Sequence, residues 1–224
     1  MNSSSCPLCL QDSSSLWHTE TRNPLVGREY WLCSHCDLVY VPAAFHLPPV
    51  AEQAIYLQHE NNPEDSGYRG FLNQLLTPLL PFLQALEKER GSSLTGLDFG
   101  SGPGPTLALM LEEAGFTCLN YDPYFAKYPE RLAQQYDFIV STEVFEHLAR
   151  PAEVMEQLNA CLNPGGYLGI MTQRPRNLEA FSRWHYLMDP THITFYSEDC
   201  FQWLASHWHF HRVYLGKSTI LLRK

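Results

Sequence analysis

A glycine-rich stretch is the first part of the 224-residue sequence whose residue types suit ligand chemistry. Asp98 comes after apolar residues, and Gly100, Gly102 and Gly104 follow it at alternate positions before a helical pattern begins. Glycine lacks a Cβ, so the backbone can turn sharply with positive φ and approach a ligand closely. The lysine and hydroxyl pair of a phosphate-binding P-loop is absent here. The pattern therefore predicts a strand, a ligand-binding turn and a helix, in that order.

A second acidic residue, Asp122, stands at the end of the short apolar run 116–121. It follows Gly104 at the distance that one helix and one strand require. In nucleotide-binding α/β folds, an acid at the carboxyl end of the second strand accepts hydrogen bonds from ribose hydroxyls. We therefore expect Asp122 to bind a ribose beside the glycine turn.

Two carboxylates and two imidazoles form another candidate group. Glu143, Glu146 and His147 follow the apolar run 136–142, and His192 lies in a long polar and aromatic segment downstream. Such ligands suit a divalent ion, Mg²⁺, Mn²⁺ or Zn²⁺, that binds a substrate hydroxyl and lowers its pKa. A second interpretation stays open, in which these groups only hydrogen-bond the loop and wall a pocket. His192, or alternatively His185, would then be the general base, because an unperturbed imidazole pKa near 6.5 suits that role.

Four of the seven cysteines form two C-x-x-C pairs, Cys6 with Cys9 and Cys33 with Cys36. Two such pairs place four thiolates at tetrahedral distance around one zinc ion. Disulfides are the alternative, and a reducing cytosol disfavours them. Because the protein fills all four positions, we expect a structural zinc. The alternating residues of 29–32 and 38–41 predict short strands, and hence a zinc ribbon that cannot bury a core without the metal.

Composition limits the possible partners and location. The sequence has 24 acidic and 15 basic residues, a net charge of −9, and its basic residues are scattered. Nucleic-acid affinity comes mainly from clustered Lys and Arg, so this balance argues against a nucleic-acid or membrane-surface partner. The sequence has neither a long apolar run nor the features of a signal peptide, so we expect a cytoplasmic protein.

The remaining patterns predict the elements that must position these groups. Segment 122–136 is too short and aromatic for a full strand and helix, so the sheet is either trimmed there or carries a very short strand. The 24 residues of 173–196 form a long loop, and loops of this length in compact domains are usually functional. Predicted helices are 50–58, 67–76, 77–90 (with Thr77–Pro78 as its start), 105–114, 150–161 and 197–207, and a final hairpin joins 210–215 to 218–223.

Several of these features occur in the order found in one enzyme family. The glycine turn with Asp98, the acid Asp122, the strand of 136–143 and the Pro164-Gly165-Gly166 turn before strand 167–172 match successive family motifs. Over about residues 94–172 the sequence therefore resembles class I S-adenosylmethionine (SAM) methyltransferases. The D-P-x-H-x-x-F-Y segment at 189–196 is similar to that of methyltransferases of ubiquinone biosynthesis. The E-x-x-E-H turn at 143–147 resembles the metal centre of catechol O-methyltransferases in that pathway and of small-RNA 2′-O-methyltransferases.

The resemblance implies an α/β fold, a Rossmann-like and mostly parallel sheet with helices on both faces, beside the small N-terminal zinc ribbon. Residues 1–45 would form the ribbon, and residues 46–224 the methyltransferase domain with N-terminal helices that cap the SAM pocket. Tyr56 and Tyr68 would contact the methionine end of SAM, and Arg69 would pair with its carboxylate. The cofactor-binding residues that it implies are Asp98, Gly100, Gly102, Gly104, Asp122, Pro123, Thr142, Glu143 and Arg69. Glu143 would also be catalytic.

The function that the resemblance implies is methyl transfer from SAM to a small molecule, with a hydroxyl as the preferred acceptor. An RNA methyltransferase that uses the ribbon for substrate recognition is the first alternative, although the acidic balance weighs against it. Deoxysugar C-methyltransferases also carry a cysteine-rich N-terminal module. A SAM-binding protein without catalysis is the remaining alternative. The sequence names neither the acceptor nor the oligomeric state.

Overall fold

A computed structural model of the chain describes residues 5–58 and 61–224. Short 3₁₀ helices lie at Ala43–Phe45, Pro129–Ala133, Phe145–His147 and His185–Met188. The other elements, in chain order, are β1 (Ser14–Thr19), β2 (Glu29–Cys33), β3 (Leu38–Tyr40), α1 (Pro49–Tyr56), α2 (Ser66–Arg90), β4 (Thr95–Phe99), α3 (Thr106–Glu113), β5 (Thr117–Tyr121), β6 (Tyr136–Thr142), α4 (Pro151–Cys161), β7 (Leu162–Met171), α5 (Leu178–Ser182), β8 (Thr194–Tyr196), α6 (Glu198–His207), β9 (His211–Leu215) and β10 (Thr219–Arg223).

The larger sheet has six strands in the order β5-β4-β6-β7-β10-β9. The first four strands run parallel, and β10 is antiparallel to both β7 and β9. One buried cluster packs α4 and α6 on the sheet through Leu158 and Leu204, and another packs α2 and α3 on it through Leu79 and Leu111. The Rossmann-like fold with helices on both faces is thus confirmed.

The sheet is trimmed at the β5 edge. Residues 122–135 are all described, and they form only an isolated bridge between Asp122 and Ala126 and the 3₁₀ helix Pro129–Ala133. β5 is therefore the last strand on this side. Of the two possibilities that the short segment allowed, the structure shows the trimmed sheet.

Helix α2 corrects one prediction, because a single helix replaces the two predicted at 67–76 and 77–90. The carboxylate of Asp65 caps its start by accepting hydrogen bonds from the backbone N–H groups of Gly67 and Tyr68 at 2.7 and 3.2 Å. The helix continues through Pro78 and Pro81, although each proline removes a backbone donor. Tertiary packing offsets this loss, since one stripe of leucines is buried along the helix. These are Leu72, Leu75, Leu76, Leu79, Leu83 and Leu86.

The ribbon forms a four-stranded antiparallel sheet in the order β1-β2-β3-β8. Its last strand, Thr194–Tyr196, comes from the long segment after β7 and not from the first 45 residues. Tyr30 and Val39 of the ribbon are buried together with Phe181, Leu187 and Phe195 of that segment. The ribbon therefore shares both a sheet and a core with the chain near the predicted active site. The predicted boundary at residue 45 stays a prediction.

None of the helices in the described part of the chain combines the length and the apolar character needed to cross a lipid bilayer.

Candidate active site

A cavity of about 900 Å³ opens at the carboxyl ends of β4, β5 and β6. Its wall includes the glycine turn after β4, Asp122 after β5, and Thr142 and Glu143 at the end of β6. Tyr56 of α1 and Tyr68 of α2 face it from the predicted cap helices. Ligands of open α/β sheets bind at this edge, and the volume suits a small-molecule site.

The glycine turn is held by backbone hydrogen bonds and by close packing. The N–H of Gly100 donates to the carbonyl of Tyr121 at 2.7 Å, and Gly100 and Gly102 have φ angles of +83° and +64°. A Cβ on Gly100 would lie 2.3 Å from Val144, and one on Gly104 would lie 2.1 Å from the carbonyl oxygen of Asn61. Only glycine fits these positions. The sequence predicted that the glycines let the backbone approach a ligand closely. In the structure they also let it approach Val144 and Asn61 of neighbouring segments.

Asp98 is buried in the cavity wall with 2% of its surface exposed. Its Oδ1 atom has no hydrogen-bond partner within the described residues. Burial, and secondarily the charge of Asp122, raises the pKa of Asp98 to about 7. A buried carboxylate oxygen without a partner is costly, so a cationic or hydrogen-bond-donating ligand group would be stabilised here.

Pro123 also lines the cavity, beside Asp122, and Arg69 does not. The Arg69 guanidinium pairs with Glu113 of α3 and donates to the carbonyl of Pro63 at 3.4 Å. Successive helical side chains point in different directions, so Tyr68 can face the cavity while Arg69 faces α3. The structure therefore does not bring Arg69 to the predicted carboxylate-binding position.

Two glutamates follow β6 on a strained turn. Glu143 has a φ angle of +51°, which is uncommon for a residue with a side chain and typical of functional sites. The hydroxyl of Tyr186 lies 3.3 Å from a carboxylate oxygen of Glu143 and also contacts Glu146. Burial, followed by the charge of Glu146, raises the pKa of Glu143 to about 9, and burial also raises that of Glu146. One hydroxyl proton cannot satisfy both groups, so two adjacent charges are unfavourable here without a cation.

Two histidines stand beside these glutamates with defined tautomers. The Nδ1–H of His192 donates to the carbonyl of Tyr186 at 2.7 Å, and that of His147 donates to the carbonyl of Thr191 at 3.1 Å. A carbonyl can only accept, so Nε2 carries the lone pair of each neutral ring. Burial, and then the neighbouring His147, lowers the pKa of His192. Both rings line the cavity, whereas His185 is exposed and outside it.

Glu146, His147 and His192 have ligand atoms within 4.8 Å of one another. The Oε2 atom of Glu146 is buried and has no hydrogen-bond partner among the described residues. Histidine ligands of metals usually donate their other ring N–H to a carbonyl or carboxylate, as both of these rings do. Three of the four predicted ligands therefore fit a divalent ion. Glu143, the fourth, lies outside this group.

The four cysteine sulfurs are brought together by two turns, before β1 and after β2. The Sγ atoms of Cys6 and Cys36 are 3.5 Å apart, as are those of Cys9 and Cys33, and all four lie within 4.8 Å of one another. Tetrahedral zinc with bonds of about 2.3 Å places its sulfur ligands roughly 3.8 Å apart. The cluster therefore fits a structural zinc ion.

Three residues of the site were not singled out as site residues from the sequence. Tyr186 binds both glutamates, and Asp189 lines the cavity with a carboxylate oxygen 3.8 Å from Nε2 of His192. Glu52 of α1 accepts hydrogen bonds from the hydroxyls of Tyr56 and Tyr124 at 2.7 and 3.0 Å. Asp189 had a local signal in the D-P-x-H segment. Tyr186 and Glu52 had none, because their partners are distant in the chain.

Comparison with known proteins identifies the family of the chain. The family model for a methyltransferase domain matches residues 68–211. This match covers more than half of the chain, and the chain therefore belongs to the methyltransferase family, in its class I SAM-dependent form.

The curated relatives include ubiquinone biosynthesis O-methyltransferases. The chain is 33% identical over 92 residues to that of Shewanella pealeana, covering 41% of this chain and 38% of the relative. It is 30% identical over 91 residues to that of Pseudomonas aeruginosa, covering 39% of each. The matched part thus spans about two fifths of these relatives.

Solved structures also resemble the chain. An O-methyltransferase family protein from Burkholderia thailandensis has a TM-score of 0.48 and 14% identity, covering 81% of this chain and 63% of its own. Magnesium protoporphyrin IX methyltransferase from Synechocystis, solved with bound SAM, has a TM-score of 0.47 and 14% identity, covering 80% and 91%. Sequence identities this low do not indicate a shared substrate.

Proposed function

We propose that the protein transfers the methyl group of SAM to a hydroxyl of a small molecule, with His192 as the general base. The observation that carries this proposal is the position of His192 in the same cavity as the glycine turn and Asp122. Its Nδ1–H is bonded to the carbonyl of Tyr186, which leaves Nε2 as the basic atom.

The cofactor would occupy the end of the cavity near β4 and β5. SAM supplies a methyl group whose bond to sulfur breaks as an acceptor oxygen attacks, and the bonding electrons stay on sulfur. The carboxylate of Asp122 lies at the end of β5, where ribose hydroxyls are bound in related folds. The unpartnered Oδ1 of Asp98 can accept a hydrogen bond from a cationic group of the ligand. These residues would align the methyl group, and alignment accounts for much of the catalysis in such reactions.

At the other end, His192 would accept the hydroxyl proton on Nε2 as the new carbon–oxygen bond forms. The lowered pKa keeps this imidazole neutral near pH 7, as a base must be. The carboxylate of Asp189, 3.8 Å from Nε2, would stabilise the imidazolium that results. Tyr56 and Tyr68 also line the cavity, where we expect them to contact the methionine end of SAM.

A divalent ion is the second candidate for activating the acceptor. The buried and unpartnered Oε2 of Glu146 favours it, together with the tautomers of His147 and His192. These three residues would hold an ion such as Mg²⁺, which lowers the pKa of a bound hydroxyl. Glu143 would then not bind the ion directly. Its carboxylate would help to hold Tyr186, whose hydroxyl also contacts Glu146.

One set of measurements tests both mechanisms. After calorimetry has established SAM binding, turnover is measured on hydroxyl, amine and carbon acceptors, with catechol as the first probe. With a histidine base, activity survives exhaustive chelation and the Glu146→Gln substitution, and His192→Ala lowers kcat about 10²- to 10⁴-fold. Loss of activity on chelation, with recovery on adding Mg²⁺ or Mn²⁺, supports the metal instead. SAM binding without turnover on any acceptor would overturn the proposal in favour of a non-catalytic SAM-binding protein.

The remaining alternatives have less support. The net charge of −9 argues against an RNA substrate. A zinc ion at the four cysteines, a cytoplasmic location and a small-molecule partner remain our proposals. Carbon methylation, as in the deoxysugar enzymes, is tested by the same acceptor panel.

A further inference from the structure

The segment 184–196 carries His192, Asp189 and Tyr186, and the ribbon holds its backbone. β3 pairs with β8 in the register Leu38 to Tyr196 and Tyr40 to Thr194. Beyond the strand, the N–H of Val41 donates to the carbonyl of Ile193 at 2.8 Å. The hydrogen bonds of the ribbon therefore run up to the residue next to His192.

A buried arginine of the ribbon continues this line of contacts to His192 itself. Arg28 directly precedes β2 and has only 3% of its surface exposed. Its Nη2 donates to the backbone carbonyl of His192 at 2.7 Å. Nε and Nη1 have no hydrogen-bond partner within the described residues, and the guanidinium lies 5.6 Å from the centre of the Tyr30 ring.

A buried and incompletely paired cation is costly, because its lost hydration is not fully replaced. The one hydrogen bond that the Arg28 guanidinium makes to the described chain is the bond to His192. From this we propose that Arg28 is a positioning residue for His192, and that the zinc ribbon thereby forms part of the active site. The proposal rests on the proposed role of His192 as the base.

The contacts around His192 explain how Arg28 would act. The N–H of His192 donates to the carbonyl of Asp189 at 3.2 Å, and the N–H of Ile193 donates to the carbonyl of Glu146 at 2.7 Å. The carbonyl between these two N–H groups is the one that Arg28 holds. Without Arg28 this peptide unit keeps only the hydrogen bond of the Ile193 N–H and can tilt about it, which changes the position of Nε2. A displacement of about 1 Å at a reacting group can lower turnover about 10²-fold.

The test compares Arg28→Met with a control arginine that does not line the cavity. Arg223 also donates to a backbone carbonyl, that of Gly165, and also lies 5.6 Å from a tyrosine ring centre, but it is partly exposed and pairs with Glu89. In the full-length zinc-loaded protein, hydrogen–deuterium exchange of 184–196 is expected to rise at least tenfold in Arg28→Met and to stay unchanged in Arg223→Met. Exchange in β4 and β6 and the affinity for SAM are expected to stay within twofold in both variants.

Turnover gives a second measurement with catechol as the probe acceptor. We expect Arg28→Met to lower kcat at least tenfold with little change in the KM for SAM. Arg28→Lys keeps the charge and a hydrogen-bond donor. It is expected to restore a large part of kcat and of the exchange protection of 184–196. If the wild type does not methylate any probe, the proposed function fails, and the exchange measurement still decides whether Arg28 holds the segment.

Unchanged exchange in 184–196 of a folded Arg28→Met variant would overturn the inference. So would a uniform rise in exchange across the chain, because it would show a general stabilising role. If Arg28→Met does not fold, Arg28→Gln replaces it with the same expectations. Failure of both to fold would likewise reject a positioning role.

Discussion

The carboxylate of Asp122 accepts a hydrogen bond from the backbone N–H of Gly102 at 3.0 Å. Its other oxygen accepts hydrogen bonds from the N–H groups of Tyr124 and Phe125 at 2.8 and 3.0 Å. One side chain therefore joins the glycine turn after β4 to the turn after β5. The residue expected to bind the ribose also sets the shape of the loop on which the methionine part of SAM would lie.

Asp122→Ala and Gly102→Val are expected to abolish SAM binding while the fold is retained. The alanine removes the ribose acceptor and the bond to the glycine turn. The valine puts a branched side chain at a φ angle of +64°, with its Cβ 2.8 Å from the side-chain nitrogen of Asn61. Calorimetry with SAM, and circular dichroism for the fold, check both variants.

Gly91→Val is the control for backbone strain. Gly91 has a φ angle of +65°, and a Cβ there meets no atom within 4 Å. The Gly91→Val variant carries the same cost of about 1–2 kcal/mol for a side chain in the left-handed region, but it should keep its affinity for SAM. Unchanged affinity in both cavity variants would contradict the cofactor assignment.

SAM affinity is expected to depend on pH through Asp98, whose pKa burial raises to about 7. A cationic ligand favours the ionised carboxylate, so the Kd should rise about tenfold for each pH unit below 7 and level off above it. In the unliganded protein this carboxyl binds its proton more tightly when folded, so its contribution to stability falls as pH rises from about 4 to 7. Calorimetry between pH 5.5 and 8 measures the dependence, and Asp98→Asn should remove it.

Each chain is expected to hold one zinc ion that is not needed for SAM binding. The sulfurs of Cys6, Cys9, Cys33 and Cys36 satisfy the geometry of a zinc site, and none of these cysteines lines the cavity. Cys33→Ser should therefore lower the zinc content and loosen the ribbon without changing the Kd for SAM. Elemental analysis of protein purified without chelator measures the metal, and Cys118→Ser is the control. Absence of zinc from the wild type would argue against the ribbon assignment.

Two glycine substitutions should change stability in opposite directions. A Cβ on Gly96 of β4 would lie 2.0 Å from the buried ring of Phe138, so Gly96→Ala should destabilise the fold by about 1–3 kcal/mol. Gly70 is exposed within α2, and a Cβ there meets nothing within 4 Å. Gly70→Ala should therefore stabilise by about 0.5–1 kcal/mol. Denaturant unfolding measures the stability of both variants. A Gly96→Ala variant as stable as the wild type would show that the packing around Phe138 is more adaptable than the structure indicates.

Local patterns were enough to predict the main sheet and the edge of it at which the cavity opens. The glycines after Asp98 and the acid at Asp122 are each fixed by the geometry of one turn, and that geometry is encoded within a few residues. The same holds for the C-x-x-C pairs, because each turn presents two thiolates. The trimmed edge was also foreseen as one of two possibilities, since segment 122–136 is too short for a full strand and helix.

Local sequence patterns gave wrong predictions where tertiary packing determines the extent of a helix or the partner of a side chain. The sequence predicted a helix start at Thr77–Pro78, but the buried leucine stripe carries α2 through both prolines. It predicted that Arg69 would bind a carboxylate ligand, but the neighbouring α3 supplies Glu113 as its partner. Periodicity cannot give the direction of a single side chain, because that depends on which elements pack beside it.

The sequence by itself therefore determined the family, the glycine turn and the four-cysteine cluster, all of which rest on local spacing. Only the tertiary structure decided that β8 joins the ribbon and that Arg28 reaches His192 across 164 residues of sequence. It also separated His192, which lines the cavity, from His185, which does not. The physical reason is that contacts between distant segments depend on how the two sheets pack together, and local residue spacing does not encode that packing.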